Sequence, residues 1–143
     1  MPRFDPDRIG RLISEIRKAV SRLNTLAGLP KDKFLEDGDK IGSAKYNFIV
    51  AIEAMVDICQ HIISQNGYRS SEDYADSFAV IGEQGVFDKP FLDTLRNMAK
   101  FRNRLVHLYW EVDDQQLYQI LQTKLRDFSK FLAELANFLK LDS

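Results

Sequence analysis

Apolar residues recur every three to four positions along most of this chain, the spacing that gathers them on one side of an α-helix. The first such stretch follows Asp5 and Pro6, an N-cap residue with proline in the first helical position. Its apolar positions are Ile9, Leu12, Ile13, Ile16, Val20 and Leu23. Because the Gly28-Leu29-Pro30 segment breaks the pattern, we predict a first helix between Pro6 and Gly28.

A second and longer helix is predicted from about residue 40 to residue 65, where Asn66-Gly67 stops it. The polar segment 31–39 before it is a connection with room for a short helical turn. The apolar stripe of this second helix consists of Tyr46, Ile49, Ile52, Met55, Val56, Cys59 and Ile63. The stripe predicts that one face of the helix is buried.

The second half of the chain predicts one short and two long helices. A polar loop at 68–76 precedes a short helix at 77–84, which Gly85 ends. Asp88-Lys89-Pro90 opens a fourth helix that runs to about Tyr109. The segment Asp113-Asp114-Gln115-Gln116 has the pattern of a capping box, so the last helix is predicted from there to about Leu141.

These elements predict an all-α protein, an antiparallel four-helix bundle with an extra short helix. At 143 residues, with 45% hydrophobic and 29% charged residues, we expect one domain over residues 1–143. No apolar run approaches the roughly 20 residues that span a bilayer, so we expect no membrane partner. The start of the chain has no apolar signal segment, and the single cysteine, Cys59, cannot form an internal disulfide, which together predict a cytoplasmic protein.

Charge is balanced over the whole chain but not along the fourth predicted helix. The net charge is -1, so any attraction for nucleic acid must be local. From Thr94 to Tyr109 the charged residues are Arg96, Lys100, Arg102 and Arg104, with no acid among them. This basic helix is therefore the first candidate for a functional site.

Arg102 occupies an unexpected position on that helix. Residues advance by about 100° each around an α-helix, which puts Arg102 at the centre of the apolar face and His107 about 140° away from it. The apolar positions within about 60° of Arg102 are Phe91, Leu95, Met98, Leu105, Val106 and Tyr109. A charge there is costly unless it is paired or hydrated, so we expect Arg102 to have a specific role.

Arg102 and His107 would not easily hold the same atom within one straight helix. Either the long arginine side chain bends round the end of the helix, or two copies of the helix meet. In the second case the arginine of one subunit and the histidine of the other form one site. The apolar surface around Arg102 favours the second arrangement, because a symmetric homodimer would bury that surface.

Structural explanations for the same residues remain open. A histidine near a helix C-terminus often only contacts free carbonyl groups, and Arg102 could form a buried ion pair with Glu53 or Asp57. Glu53, Asp57 and His61 lie at i, i+4 and i+8 of the second helix, with too few ligands for a closed metal site. They form either a polar helix edge or, in the case of Asp57, a group that orients or pairs with Arg102 or His107.

The string Arg102-Asn103-Arg104-Leu105-Val106-His107-Leu108-Tyr109 resembles the signature of the HepT-like branch of the HEPN superfamily. That signature is an arginine, four residues, a histidine, one residue and a tyrosine, with asparagine directly after the arginine. The segment 51–63, AIEAMVDICQHII, is similar to the second-helix segment of the same branch. The resemblance in helix number and length extends over nearly the whole chain.

The resemblance implies a fold, an activity and a partner. HEPN proteins are all-helical and usually dimeric, with paired motif helices lining a composite cleft, and many are metal-independent endoribonucleases. HepT-like members are commonly toxins of type II toxin–antitoxin pairs, encoded beside a minimal nucleotidyltransferase that acts as antitoxin. That partner is thought to attach AMP to the motif tyrosine, which is Tyr109 here. No cofactor and no metal ion are expected.

The residue types fit such a reaction on RNA. His107 would take the 2′-hydroxyl proton, while Arg102 and Arg104 would stabilise negative charge at phosphorus. Asn103 would hydrogen-bond the ribose or orient His107. Arg96 and Lys100 would contact phosphates of single-stranded RNA.

Modification of Tyr109 would silence this nuclease. An AMP group on the predicted face of Arg102 adds a bulky anion that competes for the arginine and blocks the cleft. Two alternatives remain: a non-catalytic nucleotide-binding module that serves a separate nucleotidyltransferase, and a plain helical dimerisation domain. In the first His107 would be dispensable, and in the second Arg102→Leu would cost no activity.

Overall fold

The computed structural model describes residues 1–141, which form seven α-helices and one 3-10 helix without any strand. The α-helices are α1 Pro6–Ala27, α2 Lys31–Leu35, α3 Gly38–Asn66, α4 Tyr74–Gly82, α5 Lys89–His107, α6 Asp114–Thr123 and α7 Leu125–Leu139. The 3-10 helix covers Tyr109–Glu111. The predicted all-α class is confirmed.

Helix α3 lies at the centre of the bundle and packs against α1, α2, α4, α5 and α6. Its fully buried side chains include Phe48, Ile52, Met55, Ile58 and Ile62. The prediction for Tyr46 is wrong, because this tyrosine is 62% exposed although it lies in the apolar stripe. Ala44, Lys45 and Phe48 on either side of it are buried, so Tyr46 lies on the face of α3 that points away from the core.

Helix α3 is long and apolar enough to cross a membrane by length and composition alone, although it contains no continuous apolar run of about 20 residues. However, most of its apolar stretch is buried inside the structure. Packing in the core of the bundle therefore accounts for its apolar composition.

Aspartates begin five of the helices in residues 1–141. Asp5, Asp37, Asp73, Asp88 and Asp113 each accept a hydrogen bond from a backbone N–H of the first turn. At two of these caps the helix begins earlier than predicted. Asp37 starts α3 two residues early, and Asp73 starts α4 within the segment that we predicted as loop.

The predicted last helix is broken into α6 and α7 at Lys124. The break lets α6 turn toward the end of α1, where Tyr118 Oη donates to the Leu29 carbonyl at 2.7 Å. Gln122 Nε2 donates to the Ala27 carbonyl, also at 2.7 Å. The bond to Ala27 satisfies a carbonyl group that the end of α1 leaves free, and the bond to Leu29 holds the segment that follows α1.

The predicted fourth helix ends two residues early, at His107. Leu108 leaves helical geometry, with φ -131° and ψ 43°, although its N–H still donates to the Arg104 carbonyl at 2.8 Å. Tyr109 therefore belongs to the 3-10 helix and does not continue the face of Arg102, as a straight helix would have required.

Candidate functional site

Arg102 is held by α3 through a hydrogen-bonded ion pair with Glu53. Its Nε and Nη2 atoms donate to Glu53 Oε1 at 3.0 and 2.7 Å, and Nη1 donates to Asn103 Oδ1 at 3.1 Å. The guanidinium also lies over the ring of Tyr74, 4.5 Å from its centroid. With 15% of its side chain exposed, Arg102 is a nearly buried charge with a fixed direction.

The predicted alternative partner, Asp57, does not take part in this contact. Within residues 1–141 no hydrogen bond or ion pair joins Asp57 to Arg102 or His107. Burial and the nearby carboxylate of Glu53 raise the pKa of Asp57, and Arg8 of α1 opposes that rise. Glu53 and Asp57 are one helical turn apart on α3, and only Glu53 lies close enough to Arg102 to bind it.

His61, the third member of the predicted polar cluster, serves the start of the chain. Its Nε2 accepts a hydrogen bond from the backbone N–H of Asp5 at 2.9 Å, and the side chain is buried. Burial lowers the pKa of His61, as does Arg8, while Asp5 opposes them. Glu53 therefore binds Arg102, whereas His61 binds the start of the chain. In the described part of the chain no three His, Cys, Asp or Glu side chains are grouped so that they could hold a metal ion.

His107 is the last residue of α5 and is exposed. Its side chain makes no hydrogen bond within residues 1–141, and it does not meet Arg102, whose guanidinium points to α3. The prediction that one straight helix would keep these two side chains apart agrees with this geometry. An imidazole at this position is free to contact a ligand or a second subunit.

The other predicted cations separate into two places. Lys100 and Arg104 line a cavity of about 270 Å³ between α5 and the α6–α7 pair. The floor of that cavity includes the rings of Phe48, Phe101 and Phe128. Arg96 lies elsewhere, 3.9 Å from Asp93 in an exposed ion pair. Lys100 and Arg104 can therefore serve one ligand together, and Arg96 is not part of that cavity.

Lys45 is a residue of this region that the sequence analysis missed. Although it is a lysine, it is 5% exposed, near the start of α3. Its Nζ donates to the backbone carbonyl of Tyr109 at 3.3 Å and lies 3.9 Å from the centroid of the Tyr109 ring. The available signal was a single lysine within the apolar stretch of the second predicted helix.

Exposed apolar side chains surround the end of α5. Tyr46, Val106, Leu108, Tyr109 and Trp110 are between 38% and 76% exposed, and we call these five residues the apolar patch. Trp110 is the most exposed of them. Surface of this kind next to polar site residues is typical of a place where another molecule binds.

Comparison with known proteins places this geometry in context. The sequence model of the Ribonuclease HepT-like family matches residues 16–135. The chain is 28% identical to the mRNA nuclease HepT of Shewanella oneidensis over 126 residues, which cover 88% of this chain and 94% of that protein. It is 19% identical to the tRNA nuclease HepT of Aphanizomenon flos-aquae over 139 residues, 97% of this chain and 95% of that protein.

Solved structures agree with the fold. The tri-AMPylated Shewanella oneidensis HEPN toxin, solved in complex with MNT antitoxin, superposes with a TM-score of 0.85 at 26% identity. The match covers 93% of this chain and 99% of that one. A toxin–antitoxin structure with AMP-PNP also gives a TM-score of 0.85 at 26% identity, covering 92% of this chain and 98% of that one.

Proposed function

This chain belongs to the Ribonuclease HepT-like family, and on that premise we propose that it is an endoribonuclease toxin of a type II toxin–antitoxin pair. The observation that carries the proposal is how the arginine and the histidine of the motif are placed. Arg102 is nearly buried and oriented by Glu53, while His107 of the same helix is exposed. A residue with only a packing role at position 102 would be apolar, so the fixed charge points to an anionic ligand.

RNA provides the anion, and the motif side chains provide the chemistry without a metal ion. His107 takes the proton of a ribose 2′-hydroxyl, whose oxygen attacks the adjacent phosphorus. The bond from phosphorus to the 5′-oxygen breaks, and the 5′-oxygen takes a proton from solvent. Arg102 donates hydrogen bonds to the charge that builds on the phosphate oxygens. Asn103 is bonded to Arg102 at 3.1 Å, so it acts on the direction of the guanidinium, and the proposed contact of Asn103 with ribose is secondary.

Lys100 and Arg104 extend the binding surface along α5. Both line the cavity between α5 and the α6–α7 pair, and within residues 1–141 neither forms an ion pair. Cations without an internal partner suit the phosphates of single-stranded RNA on either side of the cleavage point. Arg96, which faces Asp93, contributes a weaker and more distant phosphate contact.

The active unit in this proposal is a homodimer with a composite cleft, in the cytoplasm. Within one subunit the guanidinium of Arg102 points to Glu53 and the imidazole of His107 lies at the helix end, so a second subunit is needed to bring an arginine to each histidine. The apolar patch supports this arrangement, because a symmetric dimer through the end of α5 would cover part of it, around Val106 and Leu108, and leave the Tyr109 hydroxyl at the edge of the cleft.

Regulation in the proposal is the addition of AMP to Tyr109 by a cognate minimal nucleotidyltransferase, the antitoxin. Tyr109 is 47% exposed, next to the end of the motif helix, so its hydroxyl is accessible to another enzyme. The relative that was solved with MNT antitoxin is tri-AMPylated, which supports the same modification here. The added anion and its bulk would close the cleft to RNA.

The test of the nuclease is cleavage of a labelled RNA by wild type, His107→Ala and a control, Arg22→Ala, which removes an exposed cation from α1. We expect His107→Ala to lose at least about 100-fold in rate and the control to lose nothing, because general base catalysis accounts for about that factor. Wild-type cleavage should persist in EDTA. Equal activity of His107→Ala and wild type would overturn the assignment.

A second test concerns the regulation. The intact mass of the chain is measured before and after incubation with ATP and the antitoxin. We expect the mass to rise in AMP steps, and Tyr109→Phe to prevent the rise. AMP transfer to a chain that cleaves no RNA would instead favour the non-catalytic nucleotide-binding module.

A further inference from the structure

Lys45 combines deep burial with an unusual set of partners. Its side chain is 5% exposed, yet within residues 1–141 no carboxylate forms an ion pair with it. Its contacts are instead the carbonyl oxygen of Tyr109 at 3.3 Å and the ring of the same tyrosine at 3.9 Å. A buried ammonium group without a counter-ion is costly, so its retention requires an explanation beyond packing.

The two contacts fix different parts of Tyr109. The hydrogen bond holds the backbone at the start of the 3-10 helix, just where α5 has ended. The cation–π contact holds the ring, because the negative face of the ring is drawn to the ammonium group. Together they fix the direction of the phenol relative to α3, although Tyr109 lies on an exposed segment.

We propose that Lys45 is the positioning residue for AMP addition to Tyr109, and this inference rests on the proposed function. In that reaction the phenol oxygen attacks the α-phosphorus of ATP, the new O–P bond forms, and the bond to pyrophosphate breaks. The phenol proton passes to solvent. Lys45 is not consumed; it presents the phenol in one orientation, which reduces the entropy lost in reaching the reactive geometry.

Lys45 also has a role once the AMP group is attached. The phosphodiester on Tyr109 carries a negative charge near the ammonium group, and the attraction between opposite charges adds to the existing cation–π contact. The other nearby cations are engaged differently, since Arg102 is bonded to Glu53 and Arg104 faces the cavity toward α6. Lys45 therefore holds the attached nucleotide at the end of the motif helix.

The experiment compares wild type with Lys45→Met, Lys45→Arg and a control, Lys40→Met, which changes an exposed lysine of the same helix. Initial rates of AMP addition by the antitoxin are measured by intact mass over a range of chain concentrations. We expect Lys45→Met to reduce kcat at least about 10-fold, with KM for the chain unchanged because the docking surface is intact. Lys45→Arg should recover part of kcat, since it keeps the cation.

Two further readouts separate positioning from a structural role. Thermal unfolding and RNA cleavage by the unmodified variants should stay close to wild type. If Lys45→Met does not fold, Lys45→Gln replaces it, because the amide can still donate to the Tyr109 carbonyl while the charge is removed. The same fall in kcat is expected.

The outcomes are distinct. Modification of the methionine or glutamine variant at the wild-type kcat overturns the inference and leaves the proposed function standing. Equal losses of stability, RNA cleavage and AMP addition, without recovery by arginine, also overturn it in favour of a structural lysine. Failure of wild type itself to gain AMP mass overturns the proposed regulation, and the inference with it.

Discussion

Three polar side chains of this bundle are held by contacts with other segments, and those contacts decide what each residue can do. Arg102 is directed by Glu53, Lys45 is bound to Tyr109, and His61 accepts from the backbone of Asp5. Each of these contacts joins segments that are far apart in the sequence. A substitution of a contacting side chain such as Glu53 should therefore change the activity or the stability of the protein even though Arg102 itself is unchanged.

Glu53→Gln tests the orientation of Arg102. The amide keeps the shape of the side chain but removes the charge that accepts two hydrogen bonds from the guanidinium. We expect a loss of about 1–2 kcal/mol in unfolding free energy, since the pair is only partly exposed. RNA cleavage should fall about 10- to 100-fold because the arginine is no longer held in place.

Urea unfolding and a cleavage assay measure both effects. Glu134→Gln is the control, because it changes a half-buried glutamate of α7 that is paired with Lys130 of the same helix and has no contact with Arg102. Unchanged cleavage by a folded Glu53→Gln protein would show that the ion pair does not orient Arg102 for catalysis.

His61 should make the stability of the fold depend on pH. The imidazole accepts a hydrogen bond at Nε2 and its pKa is lowered below 6.5, so the folded state takes up a proton less readily than the unfolded chain. This contribution is complete above pH 6.5 and is lost as pH falls below that value. We expect wild type to lose stability between pH 7 and pH 5 by this route.

Urea unfolding at the two pH values, for wild type and His61→Gln, isolates this contribution. The glutamine variant can still accept from Asp5 N–H but cannot titrate, so its stability should change less over the same range. An equal pH dependence in the two proteins would assign the effect to other groups.

At the scale of helices, the chain is organised by what happens at the ends. Aspartate caps begin five helices, and side chains of α6 bind the carbonyl groups at the end of α1. Asn66, at the end of α3, donates to the Arg3 carbonyl at 2.9 Å and accepts from the Arg3 N–H at 2.7 Å. Helix ends therefore fix how the elements are placed.

The start of α4 is the clearest case, and it predicts a second pH effect. Arg69 donates to both oxygens of Asp76 at 2.8 and 2.9 Å and also binds Glu83. Together with the N–H of Glu72, Arg69 lowers the pKa of Asp76 from 3.8 to about 2. This carboxylate contributes stability above pH 4, and the contribution is lost as pH falls toward 2.

Asp76→Asn should cost about 1 kcal/mol at pH 7, a modest value because Arg69 is 45% exposed. Urea unfolding at pH 7, 4 and 2.5 should show that wild type and the variant become more alike as the pH falls. A gap that stays constant over this range would exclude the ion pair as its source.

The whole molecule has one end at which apolar side chains, the motif histidine and the lysine-bound tyrosine come together. That end consists of the start of α3 and the segment from α5 into the 3-10 helix. The basic residues Lys100, Arg102 and Arg104 belong to the same helix, α5, that leads to this end. A chain with a net charge of -1 can therefore present a local binding surface for an anion.

Val106→Asp tests whether the apolar patch joins two copies. Val106 is 41% exposed, so a charge there should leave the fold intact and oppose association. We expect wild type to sediment as a dimer and the variant as a monomer without RNA cleavage. Ala133→Asp on α7 is the control, and a dimeric, active Val106→Asp protein would exclude this interface.

The sequence by itself determined the helical class, the approximate course of the long helices and the motif on α5. These features depend on neighbouring residues: the spacing of apolar side chains, aspartate caps and breaks at glycine and proline. The central apolar position of Arg102 was also visible, because helical geometry alone places a residue on a face. Exact helix ends were less accessible where a cap such as Asp73 lay inside a polar segment.

The tertiary structure alone decided which acid pairs with Arg102, why Tyr46 is exposed and where Lys45 binds. Glu53 and Asp57 were equivalent in the sequence, since both lie on the same polar edge of α3. Only the position of α5 along α3 determines that Glu53 is the acid that contacts Arg102. The break at Lys124 and the early end of α5 likewise follow from contacts with distant segments. Such choices depend on how helices are placed in space, which the local pattern of one helix does not contain.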